Sequence, residues 1–189
     1  MSTTGVPIAA LSPYRAEHVR RHGVAGEARD VRVVHELDGI TAPVTADRLA
    51  QVGAALWQAH RDLPDHTPPD LLFGLDAGGI PPTLAVAAAS GLPYQLAWKL
   101  DLELPNKAVF HEPHARRVEV FSYAAVAGLR VVPVDDEVTT GSTLANLTAV
   151  LRAAGAVVTD ALCLVEDRTA AGRAVLAGIG VRLCALTTL

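Results

Sequence analysis

The chain has 189 residues, the size of one domain and long enough to bury a substantial core. Half of its residues are apolar and 4% aromatic, and 16 basic against 20 acidic residues leave a net charge of −4 without a basic run, which argues against a nucleic-acid-binding surface as its main business. No apolar run approaches the roughly 20 residues that span a bilayer, and the opening MSTTGVPIAALSPYR lacks the charged start and long apolar stretch of a secretory signal. A cytoplasmic protein that touches neither membrane nor nucleic acid is expected.

Residues before about Ser12 read as a loose tail, and 13–22 as a short helix ending at Gly23. Residues 29–37 have strand character, and Asp38-Gly39 marks a turn. A helix is predicted from Thr45, which can cap it, with Leu49, Val52, Leu56 and Ala59 on one face. Residues 62–69 form a proline-rich connector. From Asp70 the pattern alternates. A buried-type strand over 71–75 leads through a tight turn at 76–79 into an alanine-rich helix over 81–90, with proline in its first turn. Gly91-Leu92-Pro93 breaks that helix, and 94–98 is a second strand ending at Lys99. Residues 100–117 mix prolines with charges and show no period, so they read as a long mobile loop, with a short strand possible over 118–121. Strands over 130–134, 157–165 and 181–186 alternate with helices over 142–154 and 168–176, the last ended by Gly178 and Gly180. This alternation predicts a doubly wound α/β fold: a mostly parallel central sheet with helices on both faces.

Two details stand apart. Pro133 lies inside what should be a central strand, where it removes a ladder donor; either that position faces no partner or the strand is bulged. Cys163 and Cys184 fall in apolar strand-like runs and read as buried, reduced thiols rather than a disulfide or metal pair.

The chain is organised around residues 131–143, VVPVDDEVTTGST. An apolar run ends in Asp135 and Asp136, and a loop of small residues (Thr139, Thr140, Gly141, Ser142, Thr143) then enters a helix. A loop entering a helix leaves backbone N–H groups unpaired at the positive end of the helix dipole, which suits a phosphate. The two acids cannot help to bind that phosphate; they suit hydroxyl donors or a divalent cation. A ligand carrying phosphate, hydroxyls and metal together is implied.

This stretch resembles the phosphoribosyl-diphosphate (PRPP) signature of the type I phosphoribosyltransferases: four mostly apolar strand residues, two acids, three variable residues, then Thr-Gly-x-Thr. The resemblance covers about residues 30–189 and is closest to purine enzymes of the adenine and xanthine types. It implies a single phosphoribosyltransferase domain, with tail and hood elements over 1–45 and a PRPP-binding core over 46–189. It also implies Mg²⁺ as cofactor, PRPP and a nucleobase as partners, and a homodimer.

In an open parallel sheet, ligands sit beyond the carboxyl ends of the strands, and 76–79, Lys99, 135–143 and 166–168 all follow strand ends. Asp76, Ala77, Gly78 and Gly79 resemble the family's pyrophosphate loop, whose glycines let the backbone approach an oxyanion; Gly78 stands where an arginine is frequent. Lys99 resembles the lysine that meets pyrophosphate oxygens. The loop over 100–117 would close over the reacting carbon and exclude water. Within it, Glu112 occupies the place of a glutamate near the base in adenine enzymes, whereas His111 and His114 read as surface histidines rather than metal ligands. Asp135 and Asp136 resemble the pair that meets the ribose hydroxyls, directly or through Mg²⁺ and water. Their charge would stabilise an oxocarbenium-like ring, while Mg²⁺ and Lys99 stabilise the leaving group. Glu137 replaces the usual apolar residue and has no assigned role. The loop Thr139, Thr140, Gly141, Ser142, Thr143 would hold the 5-phosphate.

Asp38 and Asp167 fall near an asparagine and a lysine that meet the base in xanthine enzymes, and Glu166 adjoins them. Acids there would repel carbonyl oxygens and prefer an amino or amidine edge, as in adenine, guanine or a deazapurine; otherwise they are solvated loop charges. The resemblance thus implies an enzyme forming a nucleoside 5-monophosphate and pyrophosphate. The alternatives are an orotate phosphoribosyltransferase, which would be expected to carry a more basic loop, and a PRPP-sensing regulator, which needs a nucleic-acid-binding element.

Overall fold

The computed structural model describes residues 13–20, 31–113 and 118–189. It begins with β1 (Ala16–Arg20), β2 (Val31–His35), a 3-10 turn over Glu36–Asp38 and α1 (Ala46–Arg61). Next come β3 (Leu71–Gly74), α2 (Ile80–Ser90), β4 (Tyr94–Leu96), β5 (Ala108–His111) and β6 (Glu119–Ser122). The chain ends with β7 (Val131–Val138), α3 (Ser142–Ala153), β8 (Asp160–Glu166), α4 (Gly172–Gly178) and β9 (Arg182–Thr188). One sheet runs in the order β4-β3-β7-β8-β9 with every neighbour parallel, while β1–β2 and β5–β6 form two small antiparallel pairs.

Both faces of the sheet are covered, which is why β3 and β8 are buried along their whole length and carry the apolar runs 71–74 and 161–165. On one face Val52 and Leu56 of α1 and Val86 of α2 pack against Leu72, Val132, Val134 and Leu162. On the other, Leu144, Leu147 and Leu151 of α3 and Leu176 of α4 meet Leu71, Phe73, Val131 and Ala161. The doubly wound arrangement is therefore present as the alternation predicts. Thr45 caps α1 by accepting a hydrogen bond from the Arg48 N–H at 3.1 Å. Among the described residues no helix is long and apolar enough to cross a membrane, and Cys163 and Cys184 are free and buried.

The structure corrects four local expectations. Residues 16–20 are not a helix but a strand laid against β2, from Ala16 opposite His35 to Arg20 opposite Val31. In AEHVR only Ala16 and Val19 are apolar, too small a face to hold a helix, and the unpaired edge of β2 takes the segment up instead. His22 and Gly23, the predicted end of that helix, lie outside the described residues, as does His114. The stretch 100–117 is not all loop, because Ala108–His111 pairs with β6 and buries Phe110. Hydrogen bonds between Trp98 and Phe121, 2.9 Å in each direction, join that pair to the chain leaving β4. α4 starts at Gly172 rather than Arg168, since the Asp167 carboxylate accepts from Thr169 N–H and Oγ1–H at 2.9 and 2.6 Å and holds a turn there. Finally, the strand predicted over 130–134 does not stop before the acid pair: β7 continues through it, with Asp135 opposite Cys163 and Glu137 opposite Val165.

Pro133 now has a physical account. Its register against β3 is unbroken, with Phe73 directly opposite. On the other side, Arg130 pairs with Val157 but Val134 pairs with Leu162, so the β8 chain carries one extra residue across this interval. The missing donor coincides with a bulge in the neighbour, not in β7 itself.

Candidate active site

Beyond the carboxyl ends of β3, β4 and β7 lies a cleft of about 260 Å³. Its walls bring together Asp76, Ala77 and Gly78, then Lys99, Glu112, and the whole of 135–143. Gly79 is not in the wall. It ends the turn beneath, where a Cβ would come within 2.8 Å of the Leu75 carbonyl oxygen and 2.9 Å of that of Val134. The Asp76–Ala77 peptide is cis. A larger hollow of about 960 Å³, beside Tyr14, His35 and Arg48, contains none of the residues singled out from the sequence.

The acid pair forms the floor. Asp136 N–H donates to Asp135 Oδ1 at 3.0 Å. Burial raises Asp135 well above the ordinary carboxylate range, and the neighbouring charge of Asp136 raises it further. Burial works against Asp136 as well, yet hydrogen bonds from His35 and Asp135 outweigh it and hold this carboxyl below its ordinary value. Two adjoining carboxyls are thereby driven apart, Asp135 upward and Asp136 downward.

Gly78 explains how the Asp136 carboxylate fits. A Cβ on Gly78 would lie 2.2 and 2.6 Å from the two Asp136 carboxylate oxygens. The carboxylate lies against bare backbone, so no arginine or any other side chain can grow there without displacing it.

Opposite the floor, Lys99 Nζ pairs with Glu112 Oε2 at 2.8 Å. Lys99 N–H reaches Asp76 Oδ2 at 3.4 Å, tying the turn after β3 to the chain after β4. At the far end, Gly141 caps α3 with φ of +73°. Thr140 Oγ1–H donates to Ser142 Oγ at 3.2 Å, so the loop's hydroxyls converge at the helix N-terminus. The first turn of α3 leaves N–H groups facing this loop.

Besides Gly79, three predicted residues are not in the cleft wall. Asp38 accepts from His35 N–H at 2.9 Å and from Ile40 N–H at 2.8 Å, closing the turn after β2. Glu166 is clamped by Arg173, through Nε–H to Oε1 at 2.7 Å and Nη2–H to Oε2, and this holds its carboxyl below the ordinary range. Asp167 meets His18 Nε2 at 2.9 Å besides the two Thr169 donors. Internal donors therefore take up all three charges.

The sequence reading missed Arg32, His35 and Gly172. Arg32 lines the cleft and stands 3.9 Å from Glu137. His35 is buried and lies 3.4 Å from Asp136. Burial of Val33 and His35 on one side of β2 follows the two-residue strand period, so a histidine among valines was the available signal. Gly172 gave none. A Cβ there would sit 2.3 Å from the Thr139 carbonyl oxygen, so it supports the 139–143 loop from below.

No protein-family model matches the chain. It is 32% identical over 180 residues to a xanthine phosphoribosyltransferase of Chloroflexus aurantiacus, covering 92% of this chain and 82% of that relative. It is 36% identical to an orotate phosphoribosyltransferase of Nocardioides over 121 residues, 64% of this chain and 60% of that protein. Its fold matches the Giardia lamblia adenine phosphoribosyltransferase complexed with 9-deazaadenine, with a TM-score of 0.72 and 18% identity, covering 92% of this chain and 93% of that one. The chain belongs to the type I phosphoribosyltransferase family, in its purine group.

Proposed function

We propose that this enzyme transfers the 5-phosphoribosyl group of PRPP to a purine-type base, giving the nucleoside 5-monophosphate and pyrophosphate. The observation that carries this reading is a single cleft holding an acid pair, a lysine and a helix-capping hydroxyl loop, each at the tip of its own segment. Residues 1–45 would act as tail and hood and 46–189 as the PRPP-binding core. Asp76, Ala77, Gly78, Gly79 and Lys99 would take the diphosphate. Thr139, Thr140, Gly141, Ser142 and Thr143 would take the 5-phosphate with backbone N–H groups and hydroxyls. Between them Asp135 and Asp136 would lie under the ribose, where Asp136 supplies the fixed negative charge that an oxocarbenium-like ring needs. Glu112 would hold Lys99 at the leaving group and carry it as the β5–β6 arm closes.

The oxygen donors in this cleft suit Mg²⁺, a hard cation usually shared between one or two carboxylates, water and substrate oxygens. When bound there, Mg²⁺ supplies positive charge to the departing pyrophosphate. Asp135 and Asp136 would hold it through water or substrate.

The base would lie on the hood side, toward Asp38, Glu166 and Asp167. Because internal donors already engage those three carboxylates, they would shape that wall rather than attract an amino edge by charge. The proposal is therefore the purine class, adenine, guanine, xanthine and deazapurines alike. The orotate reading rests on the Nocardioides match. Against it, the arm region is not lysine-rich: Lys99 and Lys107 stand among Asp101, Glu103 and Glu112. Incubation with PRPP, Mg²⁺ and a panel of bases, read by mass spectrometry, should yield a purine monophosphate and pyrophosphate. Orotidine monophosphate as the main product, or no product from any base, contradicts the proposal. A homodimer is also proposed, and light scattering should then give twice the 19.8 kDa chain mass.

Gly78→Ala provides a second test. The clashing atoms are the free end of a side chain, so the fold should survive with a melting temperature within a few degrees of the parent. The Asp136 carboxylate must move, however, and misplacement by about 1 Å costs on the order of 10²-fold in rate. Unchanged turnover in a folded Gly78→Ala enzyme would show that the Asp136 position does not matter.

A further inference from the structure

The hood hairpin reaches the acids at the strand tips through three basic side chains: His18 to Asp167 at 2.9 Å, Arg32 to Glu137 at 3.9 Å and His35 to Asp136 at 3.4 Å. The first two basic side chains are 36% and 38% exposed, and such pairs are soft and screened. His35 is different. Its side chain is 2% exposed, and it is the one of the three that meets the acid pair.

We propose that His35, oriented by Tyr14, is a positioning residue that fixes the Asp136 carboxylate for phosphoribosyl transfer. The proposal rests on the reading that Asp136 lies under the ribose. Tyr14 Oη lies 2.9 Å from His35 Nδ1. Burial raises the phenol above its ordinary pKa and keeps it protonated, so its O–H can donate to Nδ1. The Asp136 carboxylate can only accept, so Nε2 carries the proton that faces Oδ2. The chain Tyr14 O–H, His35 Nε2–H, Asp136 thus has one donor direction throughout.

The backbone holds the ring in place as well. His35 N–H donates to Asp38 Oδ2 at 2.9 Å, and Glu36 N–H to the Arg15 carbonyl at 3.1 Å, so both ends of the residue are anchored. The bare backbone of Gly78 also packs against the same carboxylate. Asp136 is gripped between the pyrophosphate turn and the hood, two segments far apart in the chain. A carboxylate that must face the ribose gains from this because rotation about its χ angles would otherwise take the charge away from the ring.

The test compares four variants in steady state with PRPP and the accepted base. His35→Leu should lower kcat/KM for PRPP by about 10- to 100-fold, with the KM for the base and the melting temperature little changed. His35→Gln keeps a donor near the Nε2 position and should recover most of that loss. Tyr14→Phe removes one oxygen and should cost several-fold. Full activity in a folded His35→Leu, beside an inactive Asp136→Asn, overturns the proposal and leaves the acid-pair reading intact. Full activity in Asp136→Asn overturns both. If His35→Leu does not fold, Tyr14→Phe decides, and unchanged kcat/KM in it overturns the proposal. A fall in which the KM values for base and PRPP rise equally, and which Gln does not restore, marks a general packing role and also overturns it.

Discussion

Asp136→Asn should lower turnover by about 10²- to 10³-fold while leaving the fold in place. Removing one fixed group aimed at developing charge in a water-poor site typically costs on the order of 3–4 kcal/mol of barrier. Asparagine keeps the shape and loses the charge, so the ring would develop its positive charge with no anion beneath it. Stability should respond differently, and the partner acid shows why. Asp135 is raised in the folded state, so its folded form favours the proton. That preference costs no stability below the ordinary carboxylate pKa and costs progressively more as pH rises above it. Asp135→Asn should therefore melt higher than the parent near neutral pH, with the gap closing as pH falls toward about 3.5. Thermal melts at several pH values, run beside single-turnover kinetics, measure both effects. An Asp135→Asn enzyme less stable at neutral pH than at acid pH, relative to the parent, would contradict the upward shift of Asp135.

Gly141→Ala is the second large effect expected. Gly141 sits at φ of +73°, where an L side chain costs about 1–2 kcal/mol. The new Cβ would also stand 2.8 Å from the Gly172 carbonyl oxygen, a backbone atom that no rotamer change can move. Together these should remove about 2–3 kcal/mol, or roughly 4–12 °C in melting temperature for a chain of this size. The same displacement tilts the N–H groups of the 139–143 loop, so KM for PRPP should rise at least about tenfold, the scale of one lost charge-assisted hydrogen bond. Gly91→Ala is the control: it shares the positive φ but meets nothing within 4 Å, so it carries the φ cost alone and no change in KM. Equal KM values for Gly141→Ala and the parent would mean that this loop does not hold the phosphate.

The sequence was most legible where chemistry and local structure coincide. Asp135 to Thr143 lie in one continuous stretch, and their order alone ties an acid pair to a helix-capping loop. The buried strands were legible because a sheet covered on both faces favours continuous apolar runs, as over 161–165 of β8, whose buried end residues Asp160 and Glu166 are paired with Arg182 and Arg173. Long-range partners were less so. His35 and Asp136 are 101 residues apart, and only the docking of the β1–β2 pair on the strand tips joins them. Gly172 looked like a helix residue, while its role is to let the Thr139 carbonyl pass close by. The β1 error has a similar source: strand formation at 16–20 depends on the free edge of β2, which no local pattern in those five residues reveals. The β5 strand is four residues long, too short for a two-residue period to stand out among the prolines and charges around it. At Asp38 and Asp167 the acids were visible, but the backbone and side-chain donors that neutralise them were not.

The most direct measurement is a crystal structure of the enzyme soaked with PRPP and Mg²⁺ in the absence of a base. The expected density places the diphosphate along Asp76, Ala77, Gly78 and Gly79 with Lys99 beside it, the ribose over Asp135 and Asp136, and the 5-phosphate inside the loop from Thr139 to Thr143. PRPP seated instead in the larger hollow beside Tyr14 and Arg48, or an empty cleft at saturating ligand, would contradict the account.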